Sequence, residues 1–144
     1  MNLKFTDVIY LDPDIYIYDN LFIFNLTNTQ YSIALIPHSL VRESSYEEEL
    51  NRVAYGLFNL GFLYVKNDDT GRELANWWMQ RCKSDCFEDI SSGVWTDQKF
   101  FDIVPCVFPN VYILRDPHLN LAYWNYDLHR KLIDMSKIGF IHWS

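Results

Sequence analysis

The sequence predicts a layered α/β domain, a mixed sheet flanked by helices, and three observations carry that prediction. Short apolar runs rich in β-branched and aromatic residues alternate along the chain with capped amphipathic stretches. The 144 residues are 49% hydrophobic and 17% aromatic, enough apolar surface for a core and too much for a disordered segment. No internal repeat, low-complexity segment or linker interrupts the pattern, so one domain is expected over 1–144.

Val8 to Leu11 is an apolar run halted by Asp12-Pro13-Asp14, which predicts a buried strand entering a turn. Ile15 to Phe24 mixes apolar and aromatic residues and fits strand or helix equally. Ser32 to Ile36 predicts a second buried strand, closed by Pro37. Ser45-Tyr46-Glu47-Glu48 has the form of a capping box and opens a helix toward Val53, with Glu47, Glu48 and Glu49 on its solvated start. Leu57 to Val65, around Gly61, predicts a third strand. The turn Asn67-Asp68-Asp69 leads to a second capping box, Thr70 to Glu73. Its helix carries Leu74, Trp77, Trp78 and Arg81 at i, i+3, i+4 and i+7. Helices are expected over Asp97–Val104 and Asn125–Met135, and strands over Val111–Leu114 and Ile138–His142.

Charge and cysteine content narrow the partners. Lys+Arg 12 against Asp+Glu 19 gives a net charge of −7, which argues against a nucleic-acid partner because a phosphate backbone needs a basic face. It leaves room for a metal ion. Cys82, Cys86 and Cys106 form no even-numbered framework and are expected as small buried thiols in a reducing compartment. No basic leader precedes an apolar run and no stretch approaches a membrane span, so a soluble cytoplasmic chain is expected.

The chemistry concentrates at Asp12 and Asp14. In extended backbone, positions i and i+2 project to one side, so both carboxylates converge, and Pro13 stiffens the arrangement. Two carboxylates at contact distance repel, and a divalent cation relieves the repulsion while keeping open positions for phosphate oxygens. The competing reading is a plain Asp-Pro-Asp turn. His142 is, on residues alone, a hydrogen-bonded core histidine. Asn59 and Gly61 read as an amide paired with a loop and a glycine allowing close packing. Asp97 reads as a first-turn acid favoured by the helix dipole. Asn120 and Trp124 read as turn and core.

Tyr10-Leu11-Asp12-Pro13-Asp14-Ile15 resembles the D-x-D segment of the GT-A-fold nucleotide-diphospho-sugar glycosyltransferases. Four further segments follow in that superfamily's order. They are Phe58-Asn59-Leu60-Gly61-Phe62 (N-x-G), Asp97-Gln98 (D-Q), Asn120 to Asn125, and Phe140-Ile141-His142-Trp143-Ser144 (F-x-H-x-S). The resemblance implies the C-terminal part of a GT-A fold, with only about ten residues before the D-x-D segment where the superfamily places a nucleoside-binding half. It implies a metal-dependent transfer of sugar from a nucleotide-diphospho-sugar to a saccharide or other hydroxyl acceptor, with retention of configuration favoured. Asp12, Asp14 and His142 become the metal ligands, and an imidazole in the set favours Mn²⁺ over Mg²⁺. Asp97 and Gln98 become catalytic residues, and Asn59, Gly61, Asn120 and Trp124 contact the sugar or acceptor. His38 and Arg115 are candidate phosphate neighbours. The alternative is a non-catalytic remnant or carbohydrate-binding module, and with part of the fold missing an exposed sheet edge is expected to drive self-association.

Overall fold

The computed structural model describes residues 5–20, 26 and 30–143. At its centre is a four-stranded mixed sheet in the order β1 (Asp7–Leu11), β4 (Phe58–Lys66), β3 (Ile33–Pro37) and β7 (Val111–Ile113). β1 and β3 both run antiparallel to β4, and β7 runs parallel to β3. A short antiparallel pair joins β2 (Ile15–Ile17) to β8 (Phe140–His142), with Leu121 bridged in parallel to Ile141. β5 (Glu88–Asp89) and β6 (Val94–Trp95) form a small hairpin. Helices with described bounds are α1 (Tyr46–Tyr55), α2 (Asp69–Ser84), α3 (Val104–Val107) and α4 (Tyr126–His129). Among the described residues, no helix is long and apolar enough to cross a membrane.

Both faces of the sheet are covered, which is why β3 and β4 read as continuous apolar runs. Ile33 and Leu35 of β3 pack on one face with Leu74 of α2, Phe101, Val104 and Phe108. Ala34 and Ile36 pack on the other with Leu26, Leu114, Leu119 and Phe140. In β4 the alternation slips. Phe58 and Leu60 belong to the first face, Phe62 and Tyr64 to the second, and the pairing with β3 shifts register between Leu35 and Pro37. This irregularity is centred on Gly61 and re-aims the strand where the candidate site lies.

The α1 capping box forms as expected: Glu48 N–H donates to Ser45 Oγ at 3.2 Å and Ser45 N–H to Glu48 Oε2 at 3.1 Å. α2 begins earlier than the sequence suggests. Its cap is Asp68, whose carboxylate accepts from Gly71 N–H at 2.9 Å, so Thr70 falls inside the helix rather than at its cap. The expected helix over Asp97–Val104 is a 3₁₀ segment, Gln98–Ile103, followed by α3, where Pro105 is tolerated only in the first turn. The expected helix over Asn125–Met135 stops at His129. Residues 130–137 are largely exposed and have no apolar stripe to hold a helix against the core.

Three further expectations change. β1 is half-buried, because it lies at the edge of the described sheet. Pro37 is the last residue of β3, and Ile15 begins a strand of three residues, whereas 21–24 lie outside the described residues. Cys82, Cys86 and Cys106 are exposed and not buried thiols: Cys82 lies on α2, whose apolar stripe (Leu74, Trp77 and Trp78) takes the sheet-facing side, Cys86 follows that helix and Cys106 lies in α3.

Candidate metal centre

Three backbone contacts gather the site. Asp12 N–H donates to Gly61 O at 2.9 Å, extending the β1–β4 pairing by one step. β2 pairs with β8 in a register that sets Ile15 opposite His142. Trp143 N–H then donates to Asp14 O at 3.2 Å. The turn at 12–14 is therefore held between β4 and β8, and the Asp-Pro-Asp triplet is a turn whose two carboxylates face His142.

Asp12, Asp14 and His142 each bring one potential ligand atom to within 4.8 Å of the others. His142 Nε2 lies 3.2 Å from Asp14 Oδ1 and 3.7 Å from Asp12 Oδ2. The imidazole is buried at 3% exposure, whereas the carboxylates are about one-third exposed, at 32% and 33%. Two oxygens and one nitrogen at the mouth of a cleft suit a divalent cation that keeps positions open for an incoming ligand. The cluster can hold such an ion.

The surroundings fix each donor. Tyr10 Oη donates to Asp12 Oδ1 at 2.6 Å; that hydrogen bond, then burial, pushes the phenol up to about 12, so it remains a donor at neutral pH. Asn59 Oδ1 lies 3.1 Å from His142 Nδ1 on the far side of the ring. Trp124 meets His142 edge-on, with ring centroids 5.1 Å apart. Gly61 provides the space: a Cβ there would stand 2.4 Å from His142 Cε1 and 2.8 Å from Asn59 Oδ1.

His38 lies behind Asn59, buried, with Nδ1 2.9 Å from Gly56 O. Burial, then the charge of Arg52, pushes its pKa down to about 4. An unfolded chain takes up this proton near the ordinary value of about 6.5, before the folded one does. The stability His38 contributes is therefore complete above about pH 6.5 and is lost as pH falls toward 4, by an amount on the order of 3 kcal/mol. His38→Gln is expected to reduce the difference in unfolding free energy between pH 7 and pH 4.5. An unchanged difference in denaturant titrations would contradict this.

Asp12, His38, Asn59, Gln98, Trp124 and His142 line one open cleft of about 710 Å³, which the Glu43–Arg52 ion pair (2.9 Å) also lines. Asp97 lies in an adjoining cavity of about 140 Å³ with Tyr10, Asp12, Gly61 and Gln98, and its Oδ2 accepts from Trp78 Nε1 at 3.1 Å. Thr96, immediately before it, is β-branched yet has φ 49°, a strained conformation of the kind that collects at functional sites. Asn120 is fully buried at φ 56° and lines neither cavity. Its neighbour Leu121 accepts from His142 N–H at 2.9 Å, so this segment supports the histidine's backbone. Arg115 lines a different cavity, beside Pro37 and Leu57. Ser144 lies outside the described residues.

The sequence assigned no site role to Tyr10 or Asn125 and placed Trp78 in the apolar stripe of its helix, not beside Asp97. Tyr10 was legible, since it lies two positions before Asp12 and shares its side of the strand. Asn125 was not: it staples the 120–125 loop to the end of β3, with Nδ2 donating to His38 O at 3.0 Å and Oδ1 accepting from Ala122 N–H at 2.9 Å.

No family model matches the chain. An uncharacterized protein of Bacillus subtilis (strain 168), YfnF, is 29% identical over 153 aligned positions, covering 99% of this chain and 50% of the relative. The chain thus spans about half the length of the curated relative it matches. Among solved structures, one similar protein is a glycosyltransferase involved in glycosylation of the major capsid of PBCV-1. It is 16% identical, with a TM-score of 0.54 over 95% of this chain and 60% of that one. Another is the galactosyltransferase LgtC in complex with donor and acceptor sugar analogs, at 17% identity and a TM-score of 0.52, over 98% and 53% of the two chains. The glycosyltransferase GlyE of Streptococcus pneumoniae TIGR4 gives 16% and 0.52, over 98% and 34%. The chain has a GT-A-like glycosyltransferase fold, and its Asp12–Asp14–His142 cluster is a metal-binding-like triad within that fold.

Proposed function

We propose that this chain carries the metal-dependent transfer of a sugar from a nucleotide-diphospho-sugar to a saccharide or other hydroxyl acceptor, with retention of configuration, in the cytoplasm. The observation that carries the reading is the Asp12–Asp14–His142 cluster at the edge of an open cleft in a GT-A-like fold. These three residues would hold the cation, with Mn²⁺ favoured over Mg²⁺ by the imidazole. When bound, the cation offsets the charge that develops on a diphosphate leaving group. Asp97, beside Asp12 and tied to Trp78, is proposed to bind a hydroxyl of the sugar or acceptor, with Gln98 on the same wall. Trp124 lines the cleft and suits the apolar face of a pyranose ring. Asn59 and Gly61 form the floor under His142, and the segment that carries Asn120 holds its backbone through Leu121.

The test incubates the chain with UDP-, GDP-, ADP- and dTDP-sugars and Mn²⁺, reading donor binding, nucleoside diphosphate release and transfer. Release that is abolished by chelation and by Asp14→Ala is the expected result. Binding without turnover would favour a sugar-binding module, and absence of both would overturn the reading.

The same fold supports a proposal of self-association. β1 is an edge strand among the described residues, and Phe5 and Val8 are exposed beside a groove of about 570 Å³ lined by Leu63, Leu74 and Trp78. Open edges with apolar flanks template pairing. Sedimentation is expected to show a concentration-dependent dimer that Val8→Lys shifts to monomer, and a monodisperse wild-type monomer would refute it.

A further inference from the structure

We infer that His38 and Gln98 are positioning residues that hold the Asn59 amide in one orientation, and that this orientation directs the Nε2 lone pair of His142 at Asp12 and Asp14. The inference rests on the reading of His142 as a cation ligand, and it concerns how the imidazole is made ready for that role.

The assignment starts from backbone groups, whose donor and acceptor roles are fixed. Gly56 O can only accept, so His38 Nδ1, 2.9 Å away, carries the hydrogen. Buried and neutral, His38 then presents Nε2 as an acceptor to the Asn59 amide 3.4 Å away, and only Nδ2 of that amide can donate. Gln98 imposes the same orientation independently. Its Nε2 donates to Tyr55 O at 3.0 Å and its Oε1 accepts from Leu60 N–H at 3.0 Å, so the backbone decides which end is which. That Oε1 also faces Asn59 Nδ2 at 3.4 Å.

Two acceptors, each anchored to backbone, therefore meet the Asn59 NH₂ group, and Oδ1 is turned toward His142. An amide oxygen accepts only, so His142 Nδ1, 3.1 Å from it, bears the hydrogen. Nε2 is then the ring nitrogen available to a cation between the two carboxylates, 3.2 and 3.7 Å away. Flipping the Asn59 amide would set oxygen against two acceptors and cost the NH₂ group both of its partners. Gly61 and Trp124 fix where the ring lies; His38 and Gln98 fix where its proton sits.

The experiment combines Mn²⁺ titration with ¹⁵N NMR of the histidine rings, the latter with Mg²⁺ in place of the paramagnetic ion. His142 is expected to be protonated at Nδ1 in the wild type. The double variant His38→Asn with Gln98→Met, which removes both acceptors, is expected to weaken Mn²⁺ binding about 10–100-fold and to let the His142 proton redistribute to Nε2. Adding Asn59→Asp should restore affinity, because a carboxylate offers an acceptor oxygen in either orientation. A residue that merely supports packing would not be rescued by adding a buried charge. Two results would overturn the inference: His142 protonated at Nε2 in the wild type, or a triple variant as weak as the double. Failure of the cation reading looks different. The Nδ1 proton would be found and would respond to the double variant while no Mn²⁺ bound.

Discussion

Asp12→Ala and Asp14→Ala are each expected to lower Mn²⁺ affinity by more than the roughly 10–100-fold that loss of an outer partner of a metal site costs. Each removes a charged oxygen from a three-donor set, and the remaining carboxylate and imidazole leave the ion mostly hydrated. The two variants should not be equivalent in detail. Asp14 Oδ1 is the oxygen nearer to His142 Nε2, whereas Asp12 is held by the Tyr10 hydroxyl and by its own N–H on Gly61 O. Asp12→Ala therefore also leaves Tyr10 without its acceptor. Asp127→Ala, on the exposed surface of α4, is the control and should bind as the wild type does. Equal affinity in all four proteins, measured by titration with paramagnetic detection, would remove the metal centre from the account.

Gly61→Ala is expected to cost both stability and cation affinity. The added methyl would sit 2.4 Å from His142 Cε1, 2.7 Å from its Nδ1 and 2.8 Å from Asn59 Oδ1. Neither neighbour has room to retreat, since Asn59 and His142 are both buried. Overpacking of this kind costs about 1–3 kcal/mol, which for a chain of this size lowers the melting temperature by roughly 2–12 °C. Affinity falls with it, because the ring can admit the methyl only by leaving the carboxylates. The mechanism is separable from a general intolerance of the strand. In a His142→Ala background the methyl enters space the ring has vacated, so the stability cost of Gly61→Ala should shrink. An identical cost in both backgrounds would place the strain elsewhere.

These expectations show which parts of the molecule were readable in one dimension. Local chemistry was. Asp12 and Asp14 announce themselves by spacing, and Ser45 and Glu48 form the capping box their separation implies. The strands β3 and β4 were legible because burial on both faces makes each a continuous apolar run. What the pattern left ambiguous was decided by partners distant in the chain. His142 is a core histidine by its strand and a candidate ligand only because β2 pairs with β8 beside Asp14. Gly61 signalled a close approach, yet nothing local says that the approaching group is an imidazole. The helix over Asn125–Met135 failed because Asn125 spends its side chain on stapling a loop and the following residues bury no face. Cys82 failed as a buried thiol because α2 turns its tryptophans to the sheet, and Cys86 and Cys106 lie outside that helix.

Pairing β2 with β8 also sets an order of events. The two strands are separated by most of the chain, so closing that contact costs more loop entropy than forming the β1–β4 or β3–β4 ladders and is favoured only once those are in place. Until it closes, the carboxylates of Asp12 and Asp14 have no imidazole opposite them. A cation bound there would therefore do little for the transition state of folding and would act on the finished molecule. Any stabilisation it gave would appear as slower unfolding at an unaltered folding rate, a latch on a completed fold and not a template for building one.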